Sequence, residues 1–115
     1  MITLDSLKAY GANTAEGLTR CMNMEAFYLK IVGMILEDPN FGRLQAAMEA
    51  RDAVAAFEAS HALKGATGNA ALTPIFEPAS ALTERLRGNT DAPMDAECDR
   101  LAAEIQAQFE RLKAL

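Results

Sequence analysis

The chain has 115 residues, half of them hydrophobic, with eleven basic and sixteen acidic side chains and a net charge of −5. This length suits one domain, residues 1–115, that buries about two thirds of its unfolded surface and folds without stapling disulfides. The acidic balance and sparse aromatic residues argue against a nucleic-acid-binding protein, which needs a basic patch and stacking platforms for bases.

The amino-terminal residues lack both the basic start and the apolar run of a secretion signal. No apolar stretch approaches the length of a membrane span. Cys21 and Cys98 each lie among apolar residues at helical spacing, which is typical of buried thiols in a reducing compartment rather than of a disulfide. We therefore expect a soluble cytoplasmic protein that does not bind membranes.

The first half of the chain predicts helices, because no stretch shows sustained alternation with β-branched residues. A short helix is expected around Leu7, and a second from Thr14 to Met22 with Leu18, Cys21 and Met22 facing inward. Asn23 is expected to cap a longer helix. The apolar stripe of that helix comprises Met24, Phe27, Tyr28, Ile31, Ile35 and Leu36. Asp38-Pro39-Asn40 ends it, since proline cannot continue a helix.

The second half predicts four further amphipathic segments. One covers Phe41 to Ala50, and Asp52 is expected to cap a long helix that runs to about Ala71. Thr73 is expected to cap the next helix, with Pro74 at its first position. The inward residues of this helix are expected to be Ile75, Ala79, Leu82 and Leu86. A last helix is expected from about Pro93, with inward residues Met94, Cys98, Leu101, Ile105, Phe109 and Leu112. Together the pattern predicts an all-α, antiparallel up-down-up-down four-helix bundle, with the short amino-terminal helices capping one end.

The only histidine lies within the long helix that Asp52 begins. His61, Lys64, Gly65 and Gly68 are spaced i, i+3, i+4 and i+7, so they share one helix face. The opposite face carries Ala56, Ala59, Leu63, Ala66 and Ala70, so His61 is expected to point away from the core. A lone histidine in a bundle is usually an inconsequential surface residue. However, each helical glycine costs about 1 kcal/mol relative to alanine. Two glycines beside an imidazole and a cation favour a site that admits a bulky anion.

Val54 and Phe57 lie within about 40° of His61 on the same helical wheel. If they are exposed, they form an apolar patch of the kind that marks a docking surface. The alternative is that the helix is rotated, or that a neighbouring helix covers Phe57. The sequence leaves both interpretations open.

The run His61-Ala62-Leu63-Lys64-Gly65 resembles the signature of histidine-containing phosphotransfer domains, in which His-x-Leu-Lys-Gly lies on the second helix of a four-helix bundle. Gly17-Leu18-Thr19-Arg20, followed by Phe27 and Tyr28, is similar to the amino-terminal half of that family. Two positions depart from its pattern. Ala71 stands where many members have glycine, and Thr83 follows Leu82 where a glutamate is common. Neither departure removes a group needed for phosphoryl transfer.

The resemblance implies a phosphorelay intermediate. His61 would accept a phosphoryl group through Nε2 from a receiver-domain aspartate, and Lys64 would neutralise the phosphoryl charge. Gly65 and Gly68 would leave room for the phosphoryl group and the partner's loops. The implied partners are receiver domains of response regulators or hybrid histidine kinases. Mg²⁺ would belong to the receiver, so this chain is expected to bind no metal or cofactor itself. No ATP-binding motif is present, so we expect a carrier rather than an enzyme. We also expect a monomer.

Two other functions compete with this one. A docking module that binds a receiver domain or histidine kinase without accepting phosphate would need neither Lys64 nor the paired glycines. A phosphatase-like regulator would need an acidic or amide group that orients water, and Glu58, about 60° from His61 on the wheel, is the only nearby candidate.

Overall fold

The computed structural model describes residues 1–115 and contains seven helices and no strand. In chain order these are α1 (Leu4–Tyr10), α2 (Thr14–Arg20), α3 (Glu25–Leu36), α4 (Asn40–Ala50), α5 (Ala53–Asn69), α6 (Thr73–Leu86) and α7 (Ala96–Lys113). The predicted all-α fold class is confirmed. None of these helices combines the length and the apolar character needed to cross a membrane.

Four helices form the bundle that the sequence predicts. α5 packs between α4 and α6, α6 packs against α7, and α7 also contacts α4, which closes the ring. Short turns at 51–52 and 70–72 reverse the chain direction between α4, α5 and α6. The amino-terminal segment reaches the carboxyl end of α5, where the Asn13 amide donates a hydrogen bond to the Ala71 carbonyl. The short helices therefore cap one end, as expected.

α3 and α4 together line one side of α5. Pro39 separates them, and its lack of a backbone donor explains why the helix does not continue. Ala66 and Asn69 of α5 lie beside Ile31 and Met34 of α3. The Tyr28 hydroxyl donates to the Ala70 carbonyl at 2.8 Å. α3 thus covers the carboxyl-terminal half of α5, while α4 covers the other half.

The core is one cluster of 26 buried residues from α1 and α3 to α7 and the segments between them. Every residue predicted to face inward in α6 and α7 belongs to it, including Met94, which precedes the α7 helix. Phe41 and Phe109 stack with their ring planes 6° apart and join α4 to α7. Cys21 and Cys98 are both buried and unpaired, so no disulfide contributes.

Two amino-terminal predictions are wrong. Met22 does not face inward but is 82% exposed. Asn23 does not cap α3, because Met22 and Asn23 have φ angles of 57° and 60°, in the left-handed region. This turn directs Met22 outward and makes Met24 the residue before α3, without a side-chain capping bond.

The predicted apolar stripe of α3 is only partly inward. Tyr28 and Ile35 are buried, and Val32, which the predicted stripe omitted, is fully buried. Met24 and Phe27 are instead 57% and 45% exposed. α3 packs against its neighbours along only one side, so the apolar side chains of Met24 and Phe27 at the edge of its apolar face stay exposed to solvent.

Two helix starts also differ from the prediction. α6 includes Thr73 as its first residue, and its cap position is Leu72, without a side-chain bond. Pro74 nevertheless lies in the first turn, where its missing amide hydrogen costs nothing. α7 begins at Ala96, because the Asp95 carboxylate accepts the Cys98 amide and caps the helix.

Gly17 allows α2 to approach the Tyr28 ring. A Cβ atom at Gly17 would lie 2.5 Å from two ring carbons of Tyr28, which is itself fully buried. We predict that Gly17→Ala lowers the free energy of unfolding by about 1–3 kcal/mol, because the ring has nowhere to move. Gly33→Ala is the matched control. Nothing lies within 4 Å of its Cβ position, so it should gain about 1 kcal/mol of helix propensity.

Urea unfolding of both variants measures these effects. Stabilisation by both substitutions would show that Tyr28 does not pack on Gly17.

Candidate functional site

The packing of α5 determines where His61 points. Ala56, Ala59 and Leu63 are buried against the neighbouring helices, and His61, on the opposite side of the helix, is exposed. Asp52 caps the start of the helix, because its Oδ1 accepts a hydrogen bond from the Ala55 backbone amide at 3.1 Å. The orientation predicted from the helical wheel is therefore the one observed.

α5 also buries two hydroxyl groups that the sequence prediction missed. The Ser60 hydroxyl donates to the Phe57 carbonyl at 3.1 Å, and the Thr67 hydroxyl donates to the Leu63 carbonyl at 2.7 Å. Because each donates to a carbonyl of its own helix, neither needs a partner elsewhere. Ser60 and Thr67 are both fully buried, so they belong to the side of α5 that packs on the neighbouring helices and not to the side that carries His61.

An open groove brings the predicted site residues together. His61, Lys64, Gly65 and Gly68 line it from α5. α2 contributes Glu16 and Arg20, and α6 with its preceding turn contributes Ala71, Thr73, Phe76 and Glu77. The imidazole thus stands at a depression that is open to solvent.

Lys64 is held by an ion pair that the sequence prediction missed. Its Nζ lies 3.0 Å from Oε1 of Glu84 on α6. The Glu84 carboxylate also accepts hydrogen bonds from Arg87 Nε at 3.0 Å and Nη2 at 3.2 Å. Hydrogen bonds from Arg87 and Lys64 lower the pKa of Glu84 to about 2. The carboxylate is therefore ionised throughout the neutral range and shared between two cations.

The two glycines of the motif have different surroundings. A Cβ atom at Gly65 would meet nothing within 4 Å, so this position is open to a ligand or partner. A Cβ atom at Gly68 would lie 3.0 and 3.1 Å from carbons of the Phe76 ring. Packing against Phe76 is thus a reason for Gly68 that is separate from the expected room for a partner.

Val54 and Phe57, the two apolar residues expected to form a docking patch, differ in their exposure to solvent. Val54 is 51% exposed. Phe57 is half-buried, packs against the core cluster and carries the Arg87 guanidinium 5.3 Å from its ring centroid. The ring centroids of Phe57 and His61 are 5.6 Å apart. Phe57 is therefore a partly buried neighbour of the imidazole, and its expected role in docking stays a prediction.

Arg20 joins α2 to the carboxyl end of α5. Its guanidinium donates to the Gly68 carbonyl and pairs with Glu16. The nearby Ala71 has φ of 54°, a left-handed conformation that glycine adopts without strain. A glycine, which the family resemblance implies at the Ala71 position, would adopt this conformation without strain.

Glu58 lies on a different flank of α5 from Lys64. It lines a depression between α4 and α5 together with Arg43 and Ala62, and it is not among the residues that line the His61 groove. This position does not favour a water-orienting role. No group of three or more His, Cys, Asp or Glu side chains in the chain is placed to hold a metal ion.

Comparison with known proteins adds one finding. A family model described as Hpt domain matches residues 38–115, which include α4 to α7 and the whole His61 motif. Residues 1–37 lie outside the match, so the similarity expected for Gly17 to Tyr28 stays a prediction. No curated protein and no solved structure matches the chain.

Proposed function

We propose that this chain, which belongs to the Hpt domain family, carries a phosphoryl group on His61 and exchanges it with receiver-domain aspartates. Hpt domains are phosphocarrier modules of two-component signalling rather than enzymes. The observation that supports His61 as the acceptor is its exposure on α5, in one open groove with Lys64 and Gly65. We place this relay in the cytoplasm.

The transfer is an in-line displacement at phosphorus. The Nε2 lone pair of neutral His61 attacks the aspartyl phosphate, an N–P bond forms, and the P–O bond to the aspartate breaks. The carboxylate leaves with the electron pair of that bond, and the proton on Nδ1 stays in place. Because the step only relocates charge, positioning and charge neutralisation account for most of the catalysis.

The partner and this chain divide the required groups between them. The receiver supplies the aspartate and, by our proposal, the Mg²⁺ ion. This chain supplies the imidazole and the Lys64 ammonium, a mobile point charge that suits the phosphoryl oxygens. Gly65 leaves the approach to the imidazole clear, because no atom lies within 4 Å of the position a Cβ would occupy.

We propose that the receiver docks on the exposed apolar surface around the groove. Val54 lies seven residues before His61, on the same face of α5. On the other flank, Met34 lies beside Asn69, which also lines the His61 groove. Phe27 continues this surface along α3, since it lies seven residues before Met34. Exposed apolar side chains therefore lie before His61 on α5 and beside the Asn69 end of the groove on α3, as a docking interface requires.

The competing proposal is a docking module that accepts no phosphate. The same apolar surface would serve it, so the surface does not distinguish the two functions. Lys64 favours the phosphocarrier, because phosphoryl transfer needs a cation beside the imidazole, whereas docking alone needs Lys64 only for its ion pair with Glu84.

Our first functional prediction concerns the acceptor. Incubation with a phosphorylated receiver and Mg²⁺ should label the protein with an acid-labile, base-stable phosphate. His61→Gln should abolish the label without changing helical content in circular dichroism, because the side chain is exposed. Glu58→Gln, a substitution on another flank of the same helix, is the control and should retain the label. A label that persists in His61→Gln would show that His61 is not the acceptor.

The second functional prediction concerns docking. Val54→Glu and Met34→Glu should each weaken receiver affinity by about 1–3 kcal/mol, the range for central interface anchors. Ala103→Glu, at an exposed position on α7, is the matched control and should leave affinity unchanged. Isothermal titration calorimetry with the cognate receiver measures the differences. If all three variants bound the receiver as tightly as the unsubstituted protein, the receiver would dock elsewhere on the bundle.

A further inference from the structure

Lys64 is engaged before any phosphoryl group arrives. Its Nζ lies 3.0 Å from Glu84 Oε1, and the Lys64 side chain is 30% exposed. One helical turn separates Lys64 from His61, so the same flexible side chain can reach either Glu84 or a phosphoryl group on the imidazole. The two anions therefore compete for one ammonium group.

Arg87 allows Glu84 to release Lys64 at little cost. The Glu84 carboxylate accepts two hydrogen bonds from Arg87, at 3.0 and 3.2 Å, in addition to the contact with Lys64. Loss of Lys64 thus leaves the carboxylate paired. The Arg87 guanidinium is itself placed over the Phe57 ring, 5.3 Å from its centroid, and Phe57 neighbours the imidazole. The exposed pair between Lys64 and Glu84 is weak enough for a dianionic phosphoryl group to displace.

We propose that Glu84 is a positioning residue that holds Lys64 away from unphosphorylated His61 and yields it to the phosphoryl group, with Arg87 keeping Glu84 paired after the exchange. This inference rests on the proposed function. As a consequence, Glu84 weakens the stabilisation of phosphorylated His61 by Lys64. The Lys64–Glu84 ion pair must break first, and its free energy offsets part of the attraction between Lys64 and the phosphoryl group.

The ionisation of the phosphoryl group reports this competition directly. A nearby ammonium favours the dianion over the monoanion, so closer approach of Lys64 lowers the pKa of the phosphoryl group. The other charged groups that line the groove are Glu16 and Arg20 from α2 and Glu77 from α6. Glu77 is on the same helix as Glu84 but forms no ion pair with Lys64, so Glu77→Gln is a matched control for the loss of one negative charge.

The test phosphorylates the full chain with phosphoramidate, a small donor that needs no docking, and follows the phosphoryl group by ³¹P NMR as pH is varied. Glu84→Gln should lower the proton affinity of the phosphoryl group about two- to fivefold, as expected for release of one exposed ion pair. Lys64→Ala should raise it, and Glu84→Gln should have no further effect in the Lys64→Ala background. Glu77→Gln should change it less than Glu84→Gln.

Several outcomes would overturn the role of Glu84. These are a wild-type titration curve for Glu84→Gln, an effect no larger than that of Glu77→Gln, or an effect that survives Lys64→Ala. Failure of the proposed function is distinguishable, because a phosphorylated receiver would then transfer no label to His61, although phosphoramidate can still modify an exposed imidazole. In that event, titration with inorganic phosphate, followed at the Gly65 amide, tests Glu84 alone. Tighter binding by Glu84→Gln supports its role, and equal binding contradicts it.

Discussion

The rotation of α5 about its own axis is the constraint on which the site depends. One side of α5 is buried against the neighbouring helices and carries Ala56, Ala59 and Leu63. The two alanines allow close approach of the helices, and Leu63 packs between them. Once this side is buried, the 3.6-residue period leaves His61 and Gly65 facing solvent. Turning the helix to bury the imidazole would expose the alanine and leucine side, so core packing holds the reactive group outward.

The elements around α5 contribute the charged and apolar side chains that surround His61 and Lys64. α6 supplies Glu84, which pairs with Lys64, and Arg87, directly after α6, also pairs with Glu84. α2 closes the carboxyl end of the groove through Arg20, and α3 adds an apolar shoulder beside it. By our proposal, this arrangement keeps the Lys64 ammonium paired with Glu84 until a phosphoryl group enters the groove. The chain also leaves the apolar side chains of Val54 and Met34 exposed.

The sequence predicted those features that depend on one helix at a time. The period of α5 was sufficient to place His61 outward, and Asp52 and Pro39 marked helix ends correctly through their local chemistry. Features that depend on two elements were missed. The pair between Lys64 and Glu84 joins residues twenty positions apart, and it follows from the packing angle of α5 and α6, which no local pattern encodes. The left-handed turn at Asn23 was missed for a different, local reason, since a residue type that suits a helix cap suits such a turn equally well.

The exposure of the imidazole can be measured without any partner. The chain has a single histidine, so carbethoxylation by diethylpyrocarbonate, followed at 240 nm, reports on His61 alone. We predict a rate within about threefold of that of N-acetylhistidine at the same pH, because the ring lies on the solvent face of α5. A rate that becomes comparable only after unfolding in urea would show that the ring is buried, and would contradict both the rotation of α5 and the function inferred from it.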